Sequence, residues 1–328
     1  MNSSASDSSH DGGAPPFSLL VLSEADVAAS IQGPELLEPL ANALASYSAG
    51  QATAPPRVAA KAADGWLGAM PAYLPARGLA AKLITVFPGN PGWGRPSHQG
   101  LIALFGGEDG TPICVMDAAE TTALRTAAVS ALSVRMLARD GARTLAVLGT
   151  GTQARAHLRL VPAVRQFAEV RLAGRTEERA RDLAQDFSGC QVAPTFEACV
   201  KGADVVICCT DAPRPVVRQC WLGKGTHLVS VGAGAEVDDA TVAAARIFVE
   251  WRGAVTTPPP AGAVELQGLD PDRVAELGEV ISGDQAGRTS EEEVTVFKST
   301  GLGVEDAAVG WAVLGAARRL GLGTEVSW

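Results

Sequence analysis

The 328-residue sequence is poor in the side chains that hold metals. Its four histidines, His10, His98, His157 and His227, are scattered. Its six cysteines, Cys114, Cys190, Cys199, Cys208, Cys209 and Cys220, form no C-x-x-C, and no Cys/His cluster has zinc spacing. No metal site is expected. Cys208 and Cys209 sit in an apolar run, as small core residues do. A basic run is also missing, and the formal net charge is −9. That argues against nucleic acid or an anionic membrane as the main partner. No apolar stretch is long enough to span a bilayer, and no internal repeat is visible. Residues 1–17, rich in Ser, Asp, Gly and Pro, read as a disordered tail and not as a signal peptide. The expectation is a reduced, cytoplasmic protein.

What the sequence does have is a folded composition, 47% hydrophobic, and enough length for two domains. Its most informative stretch runs from Thr144 to Ala154. A short apolar β-rich segment ends in the pattern G-x-G-x-x-A and opens into a helical one. In that context a glycine turn holds a dinucleotide pyrophosphate. Gly149 permits the tight turn, Gly151 lets backbone approach the phosphates, and Ala154 lets helix and strand pack closely. Thr150, Thr152 and Gln153 complete the turn, where free N–H groups and the helix dipole attract an anion. A second strand, 169–173, is followed by Gly174, Arg175 and Thr176, with Arg179 one turn on. An NAD site usually places a carboxylate at this strand end; an NADP site lacks it and supplies Arg. Guanidinium groups suit a phosphate, so NADPH is expected, with NADH possible.

Ser23 to Asp26 reads as a helix start, and a Pro-punctuated helical stretch follows to about Gly50. Residues 57–116 change to short strands separated by turns, an antiparallel meander. A long Ala-rich helix is expected from about 119 to the glycine at 141. Strands and helices then alternate from 144 to about 250. Thr210, Val231 and Gly232 close two apolar strands at the sheet edge where ligands bind. A last helix covers 306–320. The fold class expected is α/β: a Rossmann domain (126–299) beside a discontinuous α+β dimerisation and substrate domain (18–125 plus 300–328) with an antiparallel sheet. A meander covered on one face must bury the other, so a homodimer is expected.

Four charged residues interrupt apolar or small-residue runs: Arg57, Lys82, Arg125 and Lys298. Such groups are seldom buried unless paired. They reach solvent by snorkelling, or they converge on an anion. Three of them precede the nucleotide-binding segment, which suggests a cationic pocket for a substrate carboxylate.

At these residues the chain resembles the ornithine cyclodeaminase/mu-crystallin family over about 18–318. The landmarks are Met70-Pro71-Ala72-Tyr73, 81–85, Pro96-Ser97-His98-Gln99, 124–131, the Gly149 turn, Gly174-Arg175-Thr176, 276–283 and 297–306. The resemblance implies a Rossmann domain beside a dimerisation domain closed by the C-terminal helix. It also implies an Arg–Lys–Arg set for an α-carboxylate, matched by Arg57, Lys82 and Arg125. Cyclodeaminases of the family add a Glu for a distal amine and an Asp after the V-G turn. Here the first position falls at Gly68 and the second near Ala233-Gly234, so both acids are absent; Glu236 and Asp238 match neither in register. The chain is most similar to the family's mu-crystallin-like ketimine reductases. That likeness implies reduction of a cyclic imino acid, Δ1-pyrroline-2-carboxylate or Δ1-piperideine-2-carboxylate, to L-proline or L-pipecolate, in proline metabolism or lysine degradation. Arg57 and Arg125 would clamp the carboxylate. Lys82 would touch it and relay a proton, its pKa depressed by the flanking arginines. Met70, His98, Ser299, Thr300 and Gly301 would lie near substrate or nicotinamide, and Lys298 and Ser299 near the cofactor. The alternatives are an ornithine cyclodeaminase, an alanine-dehydrogenase-like enzyme, or a non-enzymatic binder of NADPH and a small carboxylate.

Overall fold

A computed structural model describes residues 18–31 and 33–327. The tail expected over 1–17 lies outside the described residues. In chain order the elements are β1 (Ser18–Leu22), α1 (Glu24–Ser30), α2 (Leu37–Ser48), β2 (Val58–Lys61), β3 (Trp66–Leu74), β4 (Gly78–Val86), β5 (His98–Gly106) and β6 (Pro112–Asp117). Then come α3 (Ala118–Leu137), β7 (Thr144–Leu148), α4 (Thr152–Val164), β8 (Glu169–Ala173), α5 (Glu177–Ala184), β9 (Cys190–Val192), α6 (Phe196–Val200) and β10 (Val205–Cys208). The chain closes with β11 (His227–Ser230), α7 (Asp239–Ala244), β12 (Arg246–Val249), β13 (Val274–Glu276), α8 (Leu277–Ser282), β14 (Thr295–Lys298), α9 (Gly303–Leu320) and β15 (Thr324–Ser327).

These strands build two sheets. The first has the order β15-β1-β6-β5-β4-β3-β2. Its β2–β6 portion is the antiparallel meander read from sequence. β1 joins it parallel to β6, and β15 pairs antiparallel with β1, so the sheet is mixed. The second sheet, β13-β12-β14-β11-β10-β7-β8-β9, is parallel throughout. Its β9-β8-β7-β10-β11 stretch runs in the Rossmann order, so the chain changes direction between β7 and β10. Ligands bind at the carboxyl side of such a switch point.

Local chemistry explains the elements that position the site. Ser23 caps α1 in a capping box with Asp26, as its sequence signals. The meander strands alternate, and Gly78, Ala80 and Lys82 share the buried face of β4 with Met70, Ala72 and Leu74 of β3. Met70, Lys82 and Ile102 lie in one cross-strand row. α9 packs on that face, where small residues let it approach: a Cβ on Gly310 would come within 3.0 Å of Leu104. α3 runs between the sheets and is buried along most of its length. It ends at Leu137, earlier than expected at Gly141, with Ala138 already extended. The Arg288 guanidinium, 2.7 Å from the Leu137 carbonyl, takes over that freed acceptor.

A buried polar seam ties α3 to the nucleotide-binding half. His157 Nε2 meets Ser130 Oγ at 2.8 Å, and its Nδ1 meets the Gln153 carbonyl at 2.7 Å. His227 bridges Ser133 Oγ and Thr295 Oγ1. Burial drives His157 down to about 4 and His227 to about 3, so both rings stay neutral. Among the described residues no helix is long and apolar enough to cross a membrane.

Candidate active site

A cleft of about 720 Å³ opens between the carboxyl ends of the parallel sheet and the inner face of the meander. Its nucleotide side is built by the turn after β7. Gly149 has φ +121°, and a Cβ there would meet the Cys209 carbonyl at 2.3 Å, so only glycine fits. Gly151 is the N-cap of α4 and supplies no side-chain bond to the helix amides. The first-turn N–H groups therefore remain available for an anion. Gln153 Oε1, in the same turn, is a buried acceptor without a donor. Thr150, Gly151, Thr152 and Gln153 all border the cleft. So do Thr210, Val231 and Gly232, from the ends of β10 and β11. Ala154 does not: it is fully buried and packs helix on strand. Gly174 and Thr176 also stay outside the lining. Gly174 gives room to Thr150, whose methyl would lie 2.5 Å from a Cβ there, and Thr176 starts α5. β8 ends without a carboxylate, and Arg175 and Arg179 border the cleft beyond it, exposed and without an ion-pair partner among the described residues.

The opposite side carries the three basic groups. Lys82 and Arg125 are almost wholly buried, at 2% and 5% exposure, and Arg57 is half-buried. They converge on the same cleft together with Met70, His98, Ser299, Thr300 and Gly301. Two of the three are paired with acids that the sequence reading did not foresee. Lys82 Nζ donates to Asp306 Oδ1 at 2.8 Å. Arg125 Nη1 donates to Glu305 Oε2 at 3.0 Å, and its Nε lies 3.4 Å from Asp306 Oδ1. Two buried like charges without counter-ions would carry a heavy desolvation cost, and the first turn of α9 supplies the acids to Lys82 and Arg125. Arg57 donates from Nη2 to the Thr300 carbonyl at 3.0 Å and from Nε to Met70 Sδ at 3.3 Å. Its Nη1 has no protein partner among the described residues.

Lys82 is lowered to about 8. Burial is the main cause, Asp306 opposes it, and the charges of Arg125 and Arg57 add to the lowering. The flanking arginines are thus a secondary cause rather than the principal one. Lys298 borders the cleft, but its ammonium is spent on Ser230 Oγ (3.0 Å), the Gly232 carbonyl (2.6 Å) and Glu265 Oε1 (3.0 Å). It braces the turn after β11. Glu236 braces the same turn from the other side, accepting from Thr210 N, Thr210 Oγ1, Ser230 Oγ and Gly232 N. Asp238 caps α7 through Thr241 N. Neither acid is free for chemistry. His98 stands on the exposed rim, its Nδ1 3.0 Å from Ser97 Oγ.

Three acids escaped the sequence reading: Glu250, Glu305 and Asp306. Each interrupts an apolar run, which is the signal that singled out the bases. Trp66 was also missed. A Cβ on Gly68 would meet its ring at 2.7 Å and Arg57 Cδ at 3.4 Å, so the indole fills the space a side chain at 68 would need.

A Rossmann-order sheet with an open glycine turn, facing three basic side chains across one cleft, is the frame of a nicotinamide-dependent oxidoreductase. Comparison with known proteins adds the family. The model of the ornithine cyclodeaminase/mu-crystallin family matches residues 18–319, and the chain belongs to that family. It is 39% identical over 282 residues to the ketimine reductase mu-crystallin of Mus musculus, covering 83% of this chain and 88% of that one. It superposes on Thermococcus litoralis Δ1-pyrroline-2-carboxylate reductase, solved with NADH and L-proline, with a TM-score of 0.87, 29% identity and 94% and 100% coverage. An archaeal alanine dehydrogenase dimer with bound NAD gives a TM-score of 0.85, 31% identity and 94% and 99% coverage.

Proposed function

We propose that this enzyme uses NADPH to reduce a cyclic imine bearing an α-carboxylate, Δ1-pyrroline-2-carboxylate or Δ1-piperideine-2-carboxylate, to L-proline or L-pipecolate. The observation that carries the reading is the convergence of Arg57, Lys82 and Arg125 on the cleft bordered by the Gly149–Gln153 turn. The turn fits a pyrophosphate, because its helix amides carry no side-chain cap. Arg175 and Arg179 fit the extra phosphate of NADPH, because the end of β8 offers no carboxylate to a ribose hydroxyl. When bound, the nicotinamide supplies the hydride.

The chain's own residues bind, orient and protonate. Arg57 presents its free Nη1, and Arg125 its cleft-facing edge, to the substrate carboxylate. Lys82, lowered to about 8, is mostly protonated near neutrality yet able to give its proton to the ring nitrogen. Asp306, 2.8 Å away, holds that ammonium in place. The wall of Trp66, Met70, Ile84 and Val86 suits an apolar ring.

Gly68 and the committed Glu236 and Asp238 argue against ornithine cyclodeamination. Loss of NADPH absorbance with a panel of cyclic imines, 2-keto acids with ammonia, and ornithine tests the reading. Turnover of the cyclic imines supports it. Turnover only of pyruvate with ammonia favours an alanine dehydrogenase, and none at all favours a binder. Leu67, Leu79, Leu83 and Leu101 are 36–44% exposed on the outer face of the meander, and we infer that a second copy covers it. The six cysteines, all unpaired thiols, suit the cytoplasm. Residues 18–125 with 300–328 act as the substrate lobe and 126–299 as the nucleotide lobe.

A further inference from the structure

Six charged groups surround the carboxylate pocket: Arg57 before β2, Lys82 on β4, Arg125 on α3, Glu250 after β12, and Glu305 and Asp306 on α9. The two glutamates are 1% and 0% exposed and lie against each other. Glu250 is well supplied with donors, Ser299 Oγ on Oε1 at 2.5 Å and the amides of Thr300 and Gly301 on Oε2, each at 2.8 Å, which leaves room on Oε1 for one more. Glu305 Oε2 accepts from Arg125, while its Oε1 is buried with no donor at all. Two ionised carboxylates in contact would leave that oxygen facing only negative charge. A proton on Oε1 turns it into a donor to Glu250 and resolves both problems.

We propose that Glu305 is a neutral carboxylic acid, its proton shared with Glu250, and that it positions Arg125 and the 299–301 loop for a substrate with a single carboxylate. With that proton the six groups carry three positive and two negative charges, an excess of one, which one carboxylate neutralises. Without it the floor is neutral and has no electrostatic preference for an anion. Burial and the neighbouring Glu250 charge also hold the Glu305 carboxyl well above its usual range, against the pull of Arg125. Asp306 adds to this upward push. Lys298 and Glu265 form a separate pair, and Asp211, which also borders the cleft, is exposed to solvent that screens it, so none of the three enters the count. The inference rests on the reductase reading only for the identity of the carboxylate.

Infrared spectroscopy of the full chain at neutral pH tests the proton directly. The wild type should show a protonated-carboxyl stretch that shifts when glutamate alone is carbon-13 labelled and that disappears in Glu305→Gln. Labelling needs no variant, so the test survives a folding failure. The glutamine amide can donate to Glu250 and accept from Arg125, so Glu305→Gln should keep the KM for imine within about threefold of wild type. Glu305→Ala should raise it about tenfold or more. Absence of a glutamic-acid band overturns the proposal, and so does a Glu305→Gln KM as high as that of Glu305→Ala. A band present in a chain that reduces no imine sinks the reductase reading and leaves the shared proton standing.

Discussion

Replacing Asp306 with asparagine isolates the proton role assigned to Lys82. The carboxylate lies 2.8 Å from Nζ and opposes the burial that has already lowered the lysine to about 8. An opposite charge this close shifts a pKa by about one to three units. Its removal should therefore drop Lys82 from about 8 to about 6, taking a mid-range loss of about two units. The step that needs a protonated lysine is lost as pH rises through this value. The alkaline limb of kcat/KM should accordingly move from about pH 8 to about pH 6. At neutral pH the protonated fraction falls from about nine-tenths to about one-tenth, so the rate falls about tenfold and recovers on acidification. A merely structural role would lower the whole profile without moving it. Steady-state kinetics from mildly acidic to mildly alkaline pH decide the matter. An Asp306→Asn profile with its alkaline limb unmoved would refute the reasoning.

Other consequences are equally checkable. Arg175→Ala should weaken NADPH by about tenfold or more in fluorescence titration, and NADH far less, because a charge-assisted contact to the extra phosphate is lost. Gly68→Glu should not confer ornithine cyclodeamination, since the Trp66 ring blocks the position at 2.7 Å; ammonia release from ornithine measures it. Acid should destabilise the fold before ordinary carboxylates titrate. His157 and His227 bind protons only when unfolded until about pH 4 and about pH 3, so each removes stability as pH falls below the unfolded value of about 6.5. Glu305 acts in the opposite sense, because the folded state holds its proton at higher pH. Two buried histidines against one glutamate leave a net loss of stability as pH falls between about 6 and 5, readable by denaturant titration.

Sequence legibility followed the range of each interaction. The Gly149 turn could be read because strand, positive φ and helix start are contiguous. Arg57, Lys82 and Arg125 stood out against apolar neighbours, and the alternation of β4 put Lys82 on the buried face. The partners of those bases were hidden by distance: Glu305 lies 180 residues from Arg125, and Asp306 lies 224 from Lys82. Acids in the first turn of a helix also have a sufficient local explanation in the helix dipole, so they drew no notice. β15 is exposed on every residue and shows no alternation, and β1 lies before the meander it joins. The end of α3 was misplaced because Arg288, from a distant loop, satisfies the Leu137 carbonyl. The three acceptors of Lys298 were equally out of local view, because they come from β11, the turn after it and the Glu265 segment.

The central claim is that the basic pocket presents an imino carboxylate to the nicotinamide. Product analysis of wild type and Lys82→Met, incubated with NADPH and each of the two cyclic imines, tests it most directly. The wild type should form one L-proline or L-pipecolate for each NADPH consumed, and Lys82→Met should lose much of its kcat while retaining NADPH binding. A wild-type chain that binds NADPH tightly yet reduces neither imine, or a Lys82→Met variant with undiminished kcat, would contradict it.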